Sequence, residues 1–203
     1  MQQLVFATNN RHKLEEVAAK VKGCIKLLSL EDIGCDEDIA ETGLTFHENA
    51  SIKSKYIYEK YGLNCFGDDS GLEIDALNGE PGIYSARYAG TYNDHGANID
   101  KVLDKLKGVP NRKARFRTVI SLIWNGEEHF FEDVIEGAIR KERSGAEGFG
   151  YDPIFEPDGY SITFAEMSLD EKNRISHRGK AVEKLGAFLC KGDILNCNSH
   201  NKS

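Results

Sequence analysis

Apolar and polar positions alternate along this chain with two different periods, and each period predicts a kind of element. An apolar face at helical spacing, or a helix-start signal, predicts helices near 11–22, from Thr45 to about Lys60, near 94–107 and near 176–190. Short apolar or alternating runs predict strands at 2–7, 25–30, on both sides of 68–69, at 114–124 and at 127–139. Helices and strands therefore interleave first, and a pair of long strands follows.

The dipeptide Asn125-Gly126 joins the last two of these strands and is the strongest short signal for a tight hairpin. The whole pattern predicts an α/β fold with a long, strongly twisted mixed sheet and flanking helices. We see no repeat or low-complexity linker that divides it, so we expect one domain over residues 1–190. Residues 191–203 are polar and are expected to form a loose C-terminal tail.

Composition and charge narrow the class of protein. The chain has 203 residues, of which 40% are hydrophobic and 29% charged, as in an ordinary globular protein. Its net charge of -7 argues against nucleic acid or an anionic membrane as a partner, since both need a basic face. The chain enters its first strand directly, without the segments of a signal peptide or a membrane span, so we expect a cytoplasmic protein.

Cysteine usage agrees with a reducing compartment. The five cysteines show no CxxC pair and no zinc spacing, and an odd number does not make a set of disulfides. We therefore expect reduced, mostly buried thiols at Cys24, Cys35, Cys65, Cys190 and Cys197.

Two adjacent carboxylates, Asp68 and Asp69, lie within an apolar string at 65–75. In a strand, neighbouring side chains point to opposite faces, so one aspartate can face a cleft while the other is tied into the frame. Mg²⁺ usually takes one or two carboxylates and leaves its other positions to water and phosphate oxygens, which makes this pair a candidate metal site. The alternative is a polar surface turn.

Two further groups of residues suit a polyphosphate. The sequence TNNRHK at 8–13 lies where the first strand meets the first helix, and a helix N-terminus attracts phosphate, although the same residues could simply cap the helix. The Walker spacing is missing. Lys53 falls in the middle of an apolar helix face, so it needs an anionic partner or must extend to solvent, whereas Lys55 points away.

A C-terminal cluster suits a flat ring. Phe149 lies between two glycines, which allow a ligand to approach the backbone closely. Lys172 follows in the sequence, and His177 and Arg178 at the start of the last helix can donate hydrogen bonds to a carbonyl oxygen. The alternative is a glycine-rich turn with an exposed helix start.

Five motifs in this order resemble those of the inosine triphosphate pyrophosphatase family. They are TNNRHK at 8–13, ETGLTFHENASIK at 41–53, GDDSGLEIDALNGEPGIYSARYAG at 67–90, GFGYDPIF at 148–155 and SHRGKA at 176–181. The resemblance implies Mg²⁺-dependent cleavage of ITP, dITP and XTP to the monophosphate and pyrophosphate, which keeps deaminated purines out of nucleic acid. It also implies an elongated α/β fold with two lobes around a central cleft, and a homodimer.

The resemblance also implies roles for individual residues. Glu41 and Asp69 would ligate the metal, and Asp69 would also activate the attacking water. The triphosphate would be held by Thr8, Asn9, Asn10, Arg11, His12, Lys13, Lys53 and Ser70. The base pocket would be formed by Phe149, Gly150, Tyr151, Asp152, Lys172, His177 and Arg178. The positions of Arg11 and His12 vary in the family's motif.

Those roles are consistent with in-line attack on the α-phosphorus, where a metal and lysines stabilise the developing charge. Asp68 is a second candidate for the general base or for a second metal. His177 and Arg178 as donors would suit the 6-oxo group of hypoxanthine and xanthine and would leave adenine unmatched. Two other interpretations stay open: a pyrophosphatase for another nucleotide, and a nucleotide-binding protein without catalysis. The acidic set Glu41, Asp68 and Asp69 favours an enzyme.

Overall fold

The computed structural model describes residues 2–21 and 25–199, and these form six strands and five α-helices. The strands are β1 Gln3–Phe6, β2 Lys26–Leu28, β3 Cys65–Ile74, β4 Lys113–Trp124, β5 Glu127–Ile139 and β6 Phe155–Pro157. The helices are α1 Arg11–Val21, α2 Phe46–Tyr61, α3 His95–Lys105, α4 Leu169–Ile175 and α5 His177–Ser199. The predicted end of the first helix at residue 22 lies outside the described residues.

The six strands form one mixed sheet in the order β2-β1-β3-β4-β5-β6. β1 pairs in parallel with β2 and β3, and the remaining pairs are antiparallel. The β4–β5 hairpin turns at Asn125 and Gly126, whose φ angles of 51° and 88° are the positive values that a tight hairpin turn of this type requires. The predicted α/β class and the hairpin are confirmed.

β3 is one continuous strand, so the prediction of separate strands on both sides of the aspartate pair was wrong. It pairs with β4 without interruption from Cys65 opposite Ile123 to Ile74 opposite Ala114. The aspartates therefore extend from the middle of a strand, and their side chains point to opposite faces of the sheet.

The predicted alternation of buried and more exposed side chains along β4 is found only in the first half of the strand. Residues 119–123 are all buried because α2 packs on one face of this part of the sheet and α5 on the other. A strand covered on both faces has no polar side, so the alternating pattern disappears there.

The hydrophobic core lies in two parts along the long strands. One part joins the end of β3, around Leu72 and Ile74, to α3 and to the start of β4. The other surrounds Phe66 at the start of β3, with α1 and α5 on one face and α2 on the opposite face. The middle of β3 lies between these two lobes, where Asp69, Ser70 and Gly71 line a cleft such as the resemblance implies.

The C-terminal segment differs from the prediction. α4 precedes the last helix, and α5 continues through residues 191–199, beyond its predicted end near residue 190. These residues contain no proline, and an existing helix extends at little cost. Residues 200–203 lie outside the described part of the chain.

Two of the cysteines are buried free thiols as predicted, at Cys35 and Cys65, and burial raises the pKa of Cys65 to about 12. Cys190 is exposed, contrary to the expectation of burial, while Cys24 and the side chain of Cys197 lie outside the described residues. Within the described ranges, no helix is long and apolar enough to cross a membrane.

Candidate active site

A cleft of about 410 Å³ opens beside the middle of β3 and receives side chains from both lobes. It collects nearly all the residues that the sequence predicted for a site, although the motifs are spread over the chain. The predicted residues that line it are Thr8, Asn9, Asn10, Lys13, Glu41, Lys53, Asp69, Ser70, Phe149, Gly150, Tyr151, Asp152, Lys172, His177 and Arg178.

Arg11 and His12 are exposed on the first turn of α1 and do not belong to this lining. Asn10 accepts a hydrogen bond from the Lys13 N–H and so caps α1, as the alternative interpretation of this segment proposed. The same loop still presents Thr8 and Lys13 to the cleft, so capping and ligand binding are compatible here.

Glycines bring α2 close to the face of β3 that carries Asp69. A side chain at Gly67 would lie 2.6 Å from the carbonyl oxygen of Ala50 and 2.8 Å from Cβ of Lys53. The close approach allows Nδ2 of Asn49 to donate to Oδ2 of Asp69 at 3.0 Å, while Oδ1 of Asn49 accepts from the N–H of Gly43 at 2.8 Å. Asn49 therefore joins the loop that carries Glu41 to the central strand.

The carboxylate of Asp69 makes direct hydrogen bonds to neutral groups only, among the described residues. Its carboxylate accepts from Asn49 and from the N–H of Ser70, and no salt bridge to it occurs among the described residues. Burial raises the pKa of Asp69 to about 6, with a further contribution from Glu41 and opposition from Lys53. A buried carboxylate of this kind is a candidate for a cation site or for a general base.

Lys53 and Glu41 form an ion pair at the cleft. The distance from Nζ of Lys53 to Oε1 of Glu41 is 2.5 Å, and Nη1 of Arg87 lies 3.8 Å from the other oxygen. Burial disfavours the charge on Lys53, but Glu41, Asp68 and Asp69 outweigh it and raise the pKa. The sequence left two outcomes open for Lys53, an anionic partner or extension to solvent, and the structure shows the first.

Asp68 is tied into the frame on the opposite face of β3. Its Oδ1 accepts from Nζ of Lys13 at 3.0 Å, and its Oδ2 accepts from Oγ of Ser70 at 3.0 Å and lies 3.4 Å from Nε of Arg178. Burial works against ionisation, but Lys13, Arg178 and Lys53 together hold the pKa well below its usual range. Asp68 is therefore a permanently ionised anchor, as predicted for one member of the pair.

A buried ionic cluster joins α1 to the aromatic end of the cleft. Nζ of Lys172 donates to Glu16 at 2.6 Å and to Asp152 at 2.7 Å, and Arg178 donates to the second oxygen of Glu16. Burial opposes ionisation of Glu16, but Arg178 and Lys172 lower its pKa. With Lys13 and Asp68, the cluster contains three cations and three carboxylates, so its charges balance inside the protein.

Aromatic rings form the walls at this end. Lys172 lies 4.8 Å from the ring centroid of Phe149, and Arg178 lies 5.6 Å from it. The ring of His177 stacks on Phe116 with centroids 4.8 Å apart. Burial, with Arg178 and Lys172, lowers the pKa of His177 well below its usual value, so its imidazole is neutral. Its Nδ1 is buried without a hydrogen-bond partner in the described structure.

Several residues of the site were missed from the sequence. Glu16 resembles an ordinary polar position of α1, and its cationic partners are more than 150 positions away along the chain, so no local pattern identifies it. Asn49 could have been noticed, because an amide on the inward face of a helix needs a partner. The lining also includes Asp38, Ser85, Tyr92, Asn93 and His95.

Magnesium fits the donor set, although no cluster of three or more acidic, histidine or cysteine ligands occurs in the described parts of the chain. Glu41 and Asp69 line the same cleft and interact electrostatically. Two carboxylates are the usual protein contribution to a Mg²⁺ ion that completes its shell with water and phosphate oxygens. Burial disfavours the charge on Asp69 and raises its pKa, so a cation bound beside it would stabilise the ionised carboxylate.

Comparison with known proteins finds similar sequences over most of the chain. The chain is 52% identical over 187 residues to a protein named dITP/XTP pyrophosphatase from Flavobacterium psychrophilum, covering 92% of this chain and 98% of the relative. It is 50% identical to a protein of the same name from Porphyromonas gingivalis, over 93% and 98% of the two chains.

Solved structures match the fold as well. The Ham1 protein of Staphylococcus aureus has a TM-score of 0.85 at 40% identity and covers 95% of this chain and 100% of its own. The HAM1 protein of Coxiella burnetii has a TM-score of 0.86 at 41% identity, over 94% and 100% of the two chains. The sequence profile of the Ham1 family matches residues 4–188, and the chain belongs to this family.

Proposed function

We propose that this protein hydrolyses ITP, dITP and XTP to the nucleoside monophosphate and pyrophosphate, with Mg²⁺ as its metal ion. In this proposal it acts in the cytoplasm as a homodimer and removes deaminated purines from the nucleotide pool. Residues 1–190 would form the single bilobed catalytic domain, and 191–203 would form a polar C-terminal tail. Support comes from the names of the relatives at 50–52% identity over more than nine-tenths of the chain.

The observation that carries the proposal is the state of Asp69. A buried carboxylate with a pKa of about 6 and no ion-pair partner among the described residues lies in a cleft that has lysines beside it and an aromatic pocket at one end. A protein that only binds nucleotides has no use for a buried carboxylate with a raised pKa, whereas a hydrolase needs such a group to accept the proton of the attacking water.

The polar groups of the cleft divide between the two ends of the substrate. Thr8, Asn9, Asn10, Lys13, Lys53 and Ser70 would bind the triphosphate, and Lys13 and Lys53 would stabilise charge on the α-phosphoryl oxygens and the leaving pyrophosphate. Glu41 and Asp69 would hold Mg²⁺, which polarises the phosphoryl oxygens when bound. Arg11, which is exposed at the start of α1, would meet the outermost phosphate.

The aromatic end would bind the base. Phe149 offers a ring face, with Gly150, Tyr151 and Asp152 shaping the wall next to it. Arg178 and Lys172 present positive charge to the 6-oxo group of hypoxanthine or xanthine. The 6-amino group of adenine would meet these cations with its own donor, so ATP would be rejected.

The proposal is tested with purified protein, Mg²⁺ and five substrates, ITP, XTP, dITP, GTP and ATP, scored for monophosphate and pyrophosphate. We expect rapid release of pyrophosphate from the first three and little from GTP and ATP. Diphosphate with inorganic phosphate would place the attack at the γ-phosphorus and refute the reaction assignment. No turnover of any nucleotide would favour a binding protein. Asp69→Asn should abolish turnover.

A further inference from the structure

The ring of Phe149 receives little support from its own segment. Its neighbours Gly148 and Gly150 have φ angles of 74° and 61°, a left-handed conformation that favours glycine, and they offer no side chains. The Phe149 N–H donates to Oδ2 of Asp152 at 2.9 Å, which fixes the backbone but not the ring. The orientation of the ring therefore depends on the side chains that pack against it.

His12 packs flat against this ring from another element. The two ring centroids are 5.2 Å apart and the planes differ by 9°, the offset stacked geometry that aromatic pairs prefer. The His12 side chain is 55% exposed and lies outside the lining of the cleft. His95, whose ring centroid lies 6.4 Å from that of Phe149 at a tilt of 54°, and the buried Lys172 and Arg178 also approach the ring, and all three line the cleft. The imidazole of His12 thus covers Phe149 from the solvent side.

We propose that His12 is a positioning residue, which holds Phe149 upright as the wall of the purine pocket, and that it is not a ligand of the triphosphate. The inference rests on the proposed function, since it requires a purine base against the inner face of the ring. Without the imidazole, the ring can turn on its glycine-flanked backbone, and base binding must first order it.

An experiment can decide whether His12 positions Phe149 or binds the triphosphate. It belongs to the same turn of α1 as Lys13, so a phosphate contact is the obvious alternative. Inorganic tripolyphosphate carries the phosphates without a base. Substitution of a residue that acts through Phe149 should weaken the binding of the nucleotide alone. Substitution of a residue that binds phosphate should weaken the binding of both the nucleotide and tripolyphosphate.

The experiment compares His12→Ala, His12→Phe and Glu15→Gln. The Glu15 carboxylate lies 3.8 Å from the His12 ring nitrogen, and no ring contact involves Glu15, so its variant removes the neighbouring carboxylate and keeps the stack. We expect His12→Ala to raise KM for ITP about two- to tenfold, the usual worth of an aromatic pair, with kcat changed less than about twofold. The inhibition constant of tripolyphosphate should stay constant, His12→Phe should restore KM, and Glu15→Gln should match the wild type.

Three results would overturn the inference while leaving the proposed function intact. The first is a KM for ITP that does not change in His12→Ala. The second is an inhibition constant of tripolyphosphate that rises in parallel with KM. The third is a His12→Phe variant whose KM is as high as that of His12→Ala. A wild-type protein that does not hydrolyse ITP would refute the proposed function itself, and the inference with it.

Discussion

Replacing Asp69 by asparagine should stabilise the fold at neutral pH while it removes catalysis. Burial raises the pKa of Asp69 from 3.8 to about 6. A folded pKa above the unfolded one means that the native state holds the proton more tightly. The stability from this group is therefore fully present below pH 3.8 and is lost as pH rises to about 6.

The change in the free energy of unfolding follows from the shift in the pKa of Asp69. At 1.36 kcal/mol per pKa unit, the ionised Asp69 lowers the free energy of unfolding by about 3 kcal/mol at pH 7.5 and by about 1.6 kcal/mol at pH 5. Asparagine offers one acceptor oxygen, but Asp69 accepts from both Asn49 and the N–H of Ser70, so the variant loses one hydrogen bond. That loss costs about 1 kcal/mol. The net gain is about 2 kcal/mol at pH 7.5 and about 0.6 kcal/mol at pH 5.

Urea unfolding of both proteins at the two pH values, in buffer with a chelator, measures this difference. Asp32→Asn is the matched control. Its hydrogen bonds with Ser29 lower the pKa of Asp32, so its contribution is present above the unfolded pKa and is lost only at lower pH. The effect of that variant should be equal at pH 5 and pH 7.5. An Asp69→Asn variant that is less stable than the wild type at pH 7.5, or equally shifted at both pH values, would refute the reasoning.

Three other substitutions test the rest of the site. Lys53→Met should lower kcat/KM at least about 100-fold, because it removes the buried cation, and the exposed Lys55→Met should leave it unchanged in the same assay. Gly67→Ala should lower the unfolding free energy by about 1–3 kcal/mol in urea, since its Cβ meets α2, whereas Gly186→Ala in α5 should be neutral or stabilising. Glu16→Gln should lower the unfolding free energy by about 3 kcal/mol, measured by calorimetry at pH 7.5, because two buried cations lose the carboxylate that they share.

The sequence predicted best what periodicity and turn chemistry determine locally. The Thr45 cap, the inward face of α2 and the Asn125-Gly126 turn depend on residues within a few positions of one another, and each is found where it was expected. The inward direction of Lys53 followed from the same helical period. Its partner Glu41 was available as an acidic residue only 12 positions away.

The sequence could not show contacts that join distant elements. Glu16, Lys172 and Arg178 meet because α1, α4 and the start of α5 converge at one end of the cleft, and each looks like a surface charge on its own helix. The continuous β3 was missed for a related reason. Gly67 and Gly71 resemble turn residues in the sequence, but here they make room for the helix and the loop that pack against the strand.

The choice between the two aspartates as general base, which the sequence left open, depends on what covers each face of β3. On one face, Lys13 and Arg178 contact Asp68 and keep it ionised with little affinity for a proton. On the other, α2 contributes the neutral Asn49 as the direct contact, and burial raises the pKa of Asp69 although Lys53 and the Asn49 hydrogen bond act against it. A general base must be able to accept a proton near neutral pH, and only the second environment allows this. Alternation along one strand thus separates an electrostatic anchor from a candidate base at adjacent positions.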